Sequence, residues 1–403
     1  MAPDELARRE FLMRSAAGMG ALGAIAAGAG TAQSELQSVT AGGVLPEYRG
    51  PNMVVIRFGG GVRRLETINH DETYAPYFLK ELAPQGTLYT NMMIEQLKGV
   101  ETSHGQGTLY LLTGKYDHFK DKGGKFLGAR FESKVPTIFE YFRKSYNIAE
   151  HEALIINGED RTDEEFYSFS NHHLFGANYR CTTLSLYRFK VHLLRRQIAR
   201  GGLSDKEMLK KKADLAKLEG LDYRLDGSMA PLPQIEQFWD DWREFYGENG
   251  FVNARGDRLL TQIAITAMEK LRPRLMMINY NDPDYVHWGN PSHYTRGITV
   301  IDQGIRELKL AVEANEFYKD NTIFAIVPDC GRDSNRAVPV PFQHHFSSKS
   351  AHEIFALFYG PGIARGHVID REVQQTDVIG TLGGLMKVAT EYTEGGTLDE
   401  AIA

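Results

Sequence analysis

Continuous apolar runs alternate with amphipathic stretches along most of the chain. The segment NMVVIRF (52–58) is apolar, carries β-branched residues and lies between Pro51 and Gly59, a pattern that suits a buried parallel strand. The same pattern predicts strands at EALIING (152–158), RLMMINY (274–280), NTIFAIVPD (321–329) and EIFALFYG (353–360). Between them, Phe78, Leu79 and Leu82 recur at helical spacing in 74–86, which stops at a Pro-Gln-Gly turn. Further helices are predicted at VPTIFEYFRKSYN (135–147), 257–271, 292–315 and QTDVIGTLGGLMKV (375–388). Strands alternating with helices predict an α/β fold, a mostly parallel sheet covered by helices on both faces. Residues 171–250 break this rhythm. A capping box, Ser204 with Glu207, opens a charged helix that runs to Gly220, and IEQFWDDWREFY (235–246) is amphipathic. This block is expected to be a helical insertion or cap on the main domain, 52–403. Residues 33–51 are aperiodic and are expected to form a linker.

Composition narrows the function classes. The 403 residues include 46 basic and 52 acidic side chains, and the mild acidity leaves no electrostatic footprint for nucleic acid or an anionic membrane. The two cysteines, Cys181 and Cys330, are too few for a disulfide framework and lack metal-knuckle spacing. The segment ARREFLMRSAAGMGALGAIAAGAGTAQ (7–33) places Arg8-Arg9 and Phe11-Leu12 before a weakly apolar Ala/Gly run. It resembles a twin-arginine export signal, with residues 1–32 removed. The run Ser15–Ala29 is too short and too glycine-rich to span a bilayer. A soluble periplasmic protein, exported already folded and with no membrane span after signal removal, is the expectation.

Chemistry concentrates where the strands end, as expected for ligand sites on an open α/β sheet. GGGVRR follows the first strand. NDPDYVHWG, with Asp282, Asp284 and His287, follows the 274–280 strand. DCGRD, with Asp329, Cys330 and Asp333, follows the 321–328 run, and FQHHFSS carries His344 and His345. Carboxylates and imidazoles converging on one rim form a donor set for a divalent cation: zinc first, with manganese or calcium as alternatives.

Five segments carry a resemblance. FLKELAPQGTLYTNM, SHGQGTLYLLTG, YNDPDYVHWGN, ITVIDQGIRELKLAVEA with NTIFAIVPDCGRD, and ALFYGPGIARGHVIDREVQQTDVIGTLGGLM occur in an order that resembles the alkaline phosphatase superfamily. The likeness is greatest to its sulfatase-like and phosphodiesterase-like branches and covers most of 52–386. The resemblance implies an alkaline-phosphatase-like fold and an exported, metal-dependent hydrolase of phosphate or sulfate esters acting on a small anionic substrate. It implies metal ligands at Asp284, His287, Asp329 and Cys330, with His345 or its neighbour His344 as a further ligand. The nucleophile is implied near Thr102, Ser103 and His104. The register, nine residues before Thr113, lands on His104, whereas ordinary alcohol chemistry favours Ser103. Gly105 and Gly107 are expected to let a substrate approach closely. His172, His173, Lys115 and Arg332 are further candidates for anion contact.

The pattern also departs from the family. Gly59 or Gly60 stands where the first strand ends in a metal-binding Asp, although Gly59–Gly61 could form a backbone anion cradle. Cys330 stands in place of a His, and the spacing of Asp284 to His287 is one residue tight, so that Asp282 could stand in. These departures imply an alternative: a pseudoenzyme, with the fold kept as a periplasmic binding module.

Overall fold

Side chains of β1 (Asn52–Arg57) are buried along its whole length and alternate between two cores. Val54 and Ile56 join one, and Met53 and Val55 the other, as the two-residue period of a strand covered on both faces requires. The computed structural model describes residues 45–97, 100–121, 130–158, 162–225, 231–247, 256–288, 290–334, 343–344 and 348–403. The expected signal, 1–32, and most of the expected linker, 33–51, lie outside the described residues.

The main sheet contains β1, β2 (Thr87–Met93), β5 (Ala153–Asn157), β6 (Thr182–Ser185), β7 (Leu275–Asn279), β8 (Thr322–Val327), β9 (Glu353–Tyr359), β10 (His367–Ile369) and β11 (Val373–Gln374). Its order is β10-β2-β9-β8-β1-β7-β5-β6, with β11 also on β2. All pairings are parallel except those of β9 with β2 and β8. β3 (His118–Asp121) and β4 (Arg130–Ser133) form a separate antiparallel pair.

Eight helices of eight or more residues are described: α1 (His104–Thr113), α2 (Ile138–Ser145), α3 (Leu186–Arg200), α4 (Asp205–Glu219), α5 (Pro233–Tyr246), α6 (Asp257–Lys270), α7 (Pro291–Ala314) and α8 (Asp377–Met386). The capping box foreseen at Ser204 and Glu207 opens α4. Among the described residues no helix is long and apolar enough to cross a membrane.

Two stretches differ from the sequence pattern. Residues 74–86 form a π-helical turn, Tyr77–Leu82, followed by a 3-10 turn, Ala83–Gln85. The Asp302 carboxylate on α7 accepts the Tyr77 and Phe78 N–H groups at 3.1 and 2.7 Å, tying this segment to α7. Within 171–250, the short run Thr182–Ser185 supplies β6 beside the helices. Its β-branched threonines pair with Leu154 and Ile155 of β5, and four residues are too few to show a strand period.

The register positions the site. Arg57 at the end of β1 pairs with Asn279 of β7 on one side and Val327 of β8 on the other, both in parallel. The segments leaving these three strands therefore emerge together on one rim. The start of α1 meets the same rim because Gly107 has no side chain. A Cβ there would lie 1.9 Å from the Asp329 carbonyl oxygen.

Candidate functional site

Each strand end contributes through a local device. After β7, Asp282–Trp288 winds as a 3-10 helix. Three residues per turn place Asp284 and His287 on one face, so the tight spacing still brings them together, with His287 Nε2 2.9 Å from Asp284 Oδ1. Asp282 faces elsewhere, accepting the Asp257 N–H at 3.2 Å.

His344 is held by Thr102. The Thr102 hydroxyl donates to the His344 carbonyl at 2.6 Å, and His344 Nδ1 lies 3.1 Å from the Thr102 carbonyl. A carbonyl can only accept, so Nδ1 carries the proton. In the neutral ring Nε2 is then left with its lone pair, 3.0 Å from His287 Nε2 and 3.5 Å from Asp284 Oδ1. Among the described residues His344 joins the cluster; His345 lies outside the described residues.

His104 opens α1. Ser103 caps this helix, its hydroxyl accepting the Gln106 N–H at 3.3 Å and donating to Gln106 Oε1 at 2.7 Å. The His104 ring bridges two carboxylates, Nδ1 at 2.7 Å from Asp329 Oδ2 and Nε2 at 2.8 Å from Asp284 Oδ1. Burial alone would lower its pKa, but the Asp284 and Asp329 charges raise it well above the usual imidazole value. Asp284 and Asp329 would be raised by burial. Contact with His104 instead holds both below the usual carboxylate range, helped by His287 and His344 at Asp284 and by Arg57 and the Gly61 N–H at Asp329.

The glycine cradle exists, and its occupant is the protein itself. Gly60 and Gly61, with φ of 81° and 66°, turn their N–H groups onto Asp329 at 3.4 and 3.1 Å. A Cβ at Gly59 would lie 2.0 Å from the Tyr280 carbonyl oxygen, so a side chain has no room there. Two arginines missed as core residues in the sequence, Arg57 and Arg332, are fully buried around this turn. Arg57 donates to Thr108 Oγ1 at 2.6 Å and to Glu164 at 2.9 Å, and its Nε is 4.0 Å from Asp329 Oδ2. Arg332 donates to the Gly60 and Gly61 carbonyls and lies 3.3 Å from Asp284 Oδ1. A buried arginine bound to backbone carbonyls locks the turn and is not presented to a substrate anion. Lys115 is paired with Glu394 at 3.4 Å, and His172 packs on Tyr392.

Cys330 is fully buried beside His104, with Sγ 3.9 Å from Nδ1. Burial and the Asp329 charge push its thiol up to about 11, so at neutral pH it is a thiol rather than a thiolate. Gly105 and Gly107 make room for the protein's own chain. A Cβ at Gly105 would lie 2.6 Å from the Phe131 ring and 2.7 Å from the Tyr167 hydroxyl.

The donor set fits a divalent cation. The three atoms of Asp284, His287 and His344 are separated by 2.9, 3.0 and 3.5 Å. These distances bracket the edge, roughly 3.3 Å, of a tetrahedron built on metal–ligand bonds of about 2.0 Å. His104 Nε2 belongs to the same group, all four ligand atoms lying within 4.8 Å of one another. His344 Nδ1–H on a carbonyl is also how metal-binding imidazoles are commonly oriented.

Solved structures place this architecture. The chain has the fold of the alkaline phosphatase superfamily. It matches alkaline phosphatase PafA with a TM-score of 0.52 at 11% identity, over 88% of this chain and 99% of that one. It also matches a putative sulfatase from Bacteroides thetaiotaomicron with a TM-score of 0.53 at 13% identity, over 87% of this chain and 74% of that one. No family model and no curated protein matches the chain. At such identities the likeness speaks for the fold, while function resides in the site.

Proposed function

We propose that the protein is an exported hydrolase of small phosphate or sulfate esters that works with a divalent cation, zinc being best suited to the donors. The observation that carries this reading is the convergence of Asp284 Oδ1, His287 Nε2 and His344 Nε2 at 2.9 to 3.5 Å. Two imidazoles and one carboxylate form a three-ligand set that leaves a position open for water or substrate. When bound, the ion polarises an ester oxygen and offsets charge on the leaving group.

The chain's own residues supply the rest. Asp329 receives the His104 Nδ1–H and Asp284 faces Nε2, so the ring, whose proton these two carboxylates hold, stands beside the cluster as the proton donor to the leaving oxygen of the ester. The start of α1 favours an anionic ester through its dipole. Arg332 and His104 fix the orientation of Asp284. Ser103 is engaged in capping α1, and a smaller effect on turnover is expected from it.

A binding module on the same fold is the second reading. It is favoured by Gly59, where the packing against Tyr280 leaves no room for a carboxylate. Turnover of aryl phosphate, phosphodiester and sulfate esters, with metal removed and restored, separates the two. The export half of the proposal rests on Arg8-Arg9 and the Ala/Gly run behind them.

A further inference from the structure

Beside the Asp284 cluster lies a second group of potential ligands, His104, Asp329 and Cys330, whose atoms also fall within 4.8 Å of one another. Its donor atoms face protons. Asp329 Oδ1 accepts the Gly61 N–H at 3.1 Å and the Cys330 N–H at 2.8 Å. Oδ2 lies 2.7 Å from His104 Nδ1 and 3.4 Å from the Gly60 nitrogen, with Arg57 Nε at 4.0 Å. A carboxylate has about four lone-pair directions, and N–H groups surround these oxygens from both backbone and side chains. To ligate a cation, Asp329 would have to give up bonds that hold the Gly60–Gly61 turn closed.

Replacement ligands are blocked as well. A Cβ at Gly59 would lie 2.0 Å from the Tyr280 carbonyl oxygen, one at Gly60 2.7 Å from the Asp284 nitrogen, and one at Gly61 3.1 Å from Cys330 Sγ. Positive charge is already in place, because Arg57 and Arg332 are both fully buried here. A second dication beside two buried guanidiniums would add like-charge repulsion in a poorly solvated site.

We infer that, on the metal-dependent reading above, the protein takes a single divalent cation at Asp284, His287 and His344. In this arrangement Asp329 is the positioning residue of His104, with the Arg57 guanidinium supplying positive charge beside it, Nε 4.0 Å from Oδ2. The site thus keeps two carboxylates and divides their work, one toward the ion and one toward the imidazole.

The test is a count of ions on the intact protein, loaded with zinc, desalted and weighed by native mass spectrometry. One ion is expected on the wild type and on Asp329→Asn, and none on His287→Ala. With cobalt in place of zinc, no thiolate charge-transfer band is expected in the near ultraviolet, because Cys330 is not a ligand. The positioning role is read separately by proton NMR. The downfield His104 Nδ1–H signal, assigned by its absence in His104→Gln, should move or vanish in Asp329→Asn while the ion stays bound. Two ions on the wild type, a thiolate–cobalt band, or an ion lost from folded Asp329→Asn overturns the single-ion assignment and leaves metal dependence standing. An unmoved Nδ1–H signal overturns the positioning role. A wild type that binds no ion overturns this inference and the metal-dependent reading together. The wild-type count and the cobalt spectrum need no variant, so they decide the matter even if Asp329→Asn does not fold.

Discussion

His104 Nδ1 stands 2.7 Å from Asp329 Oδ2, across 225 residues of sequence. This contact joins the first residue of α1 to the second residue beyond the end of β8, and it leaves Nε2 facing Asp284. Replacing His104 with Gln should keep the helix and remove the reactive nitrogen, lowering kcat on a responsive ester by roughly 10²-fold or more. Ser103→Ala should reduce turnover less and cost about 1 kcal/mol of stability through loss of the helix cap. Steady-state kinetics and urea unfolding of both variants check this. A His104→Gln enzyme as fast as wild type would sink the assignment.

Gly107 sets how closely α1 approaches the rim. A Cβ there would lie 1.9 Å from the Asp329 carbonyl oxygen, and backbone cannot yield as a flexible side chain does. Gly107→Ala should destabilise by about 1–3 kcal/mol and separate His104 from Asp329, lowering turnover as well. Thermal unfolding and an ester assay report both effects. A variant with wild-type melting and activity would show that the contact is not required.

Asp302 offers a pH test away from the site. Burial pushes its pKa from 3.8 to about 6 despite two N–H partners. The folded state then holds this proton more tightly than the unfolded chain does. Its contribution to stability is fully present below about pH 4 and is lost as pH rises through about 6. Two pKa units bound the effect at about 3 kcal/mol. Urea unfolding between pH 4 and 7 should show this decline as the difference between wild type and Asp302→Asn. Parallel curves for the two proteins would contradict it.

Export is tested at the N-terminus. Replacing Arg8 and Arg9 with Lys should hold a folded protein in the cytoplasm, whereas the unaltered chain should reach the periplasm trimmed near residues 30–33. Fractionation and N-terminal sequencing read both outcomes. A lysine variant that still reaches the periplasm would refute the twin-arginine reading.

Long buried strands announce themselves in this sequence because both faces are covered. β1, β7, β8 and β9 each read as continuous apolar runs. β6 did not, since four residues within a largely helical block carry no usable period. The hairpin of β3 and β4 escaped for the same reason, with HFKD and RFES nearly polar. At the site, Asp284, His287 and Asp329 could be found from their places after apolar strands. Spacing could not say that Asp284 and His287 share a 3-10 face, nor that His344 turns inward, which depends on the Thr102 carbonyl, 242 residues away in sequence. Arg57 was hidden because an arginine at the end of an apolar run reads as a strand terminus. Its burial depends on Glu164 and Asp329, which the chain brings to it only on folding.

Metal-dependent ester hydrolysis is tested most directly by one titration. Protein stripped with a chelator is assayed on aryl phosphate, phosphodiester and sulfate esters while zinc or manganese is added back, alongside His287→Ala. The wild type should be inactive when stripped and regain turnover as one equivalent of ion binds, with a rise in melting temperature because the ion binds only the folded state. His287→Ala should regain neither. Turnover that persists without metal, or no turnover of any ester with any ion in a folded protein, would contradict the account and leave the binding-module reading in its place.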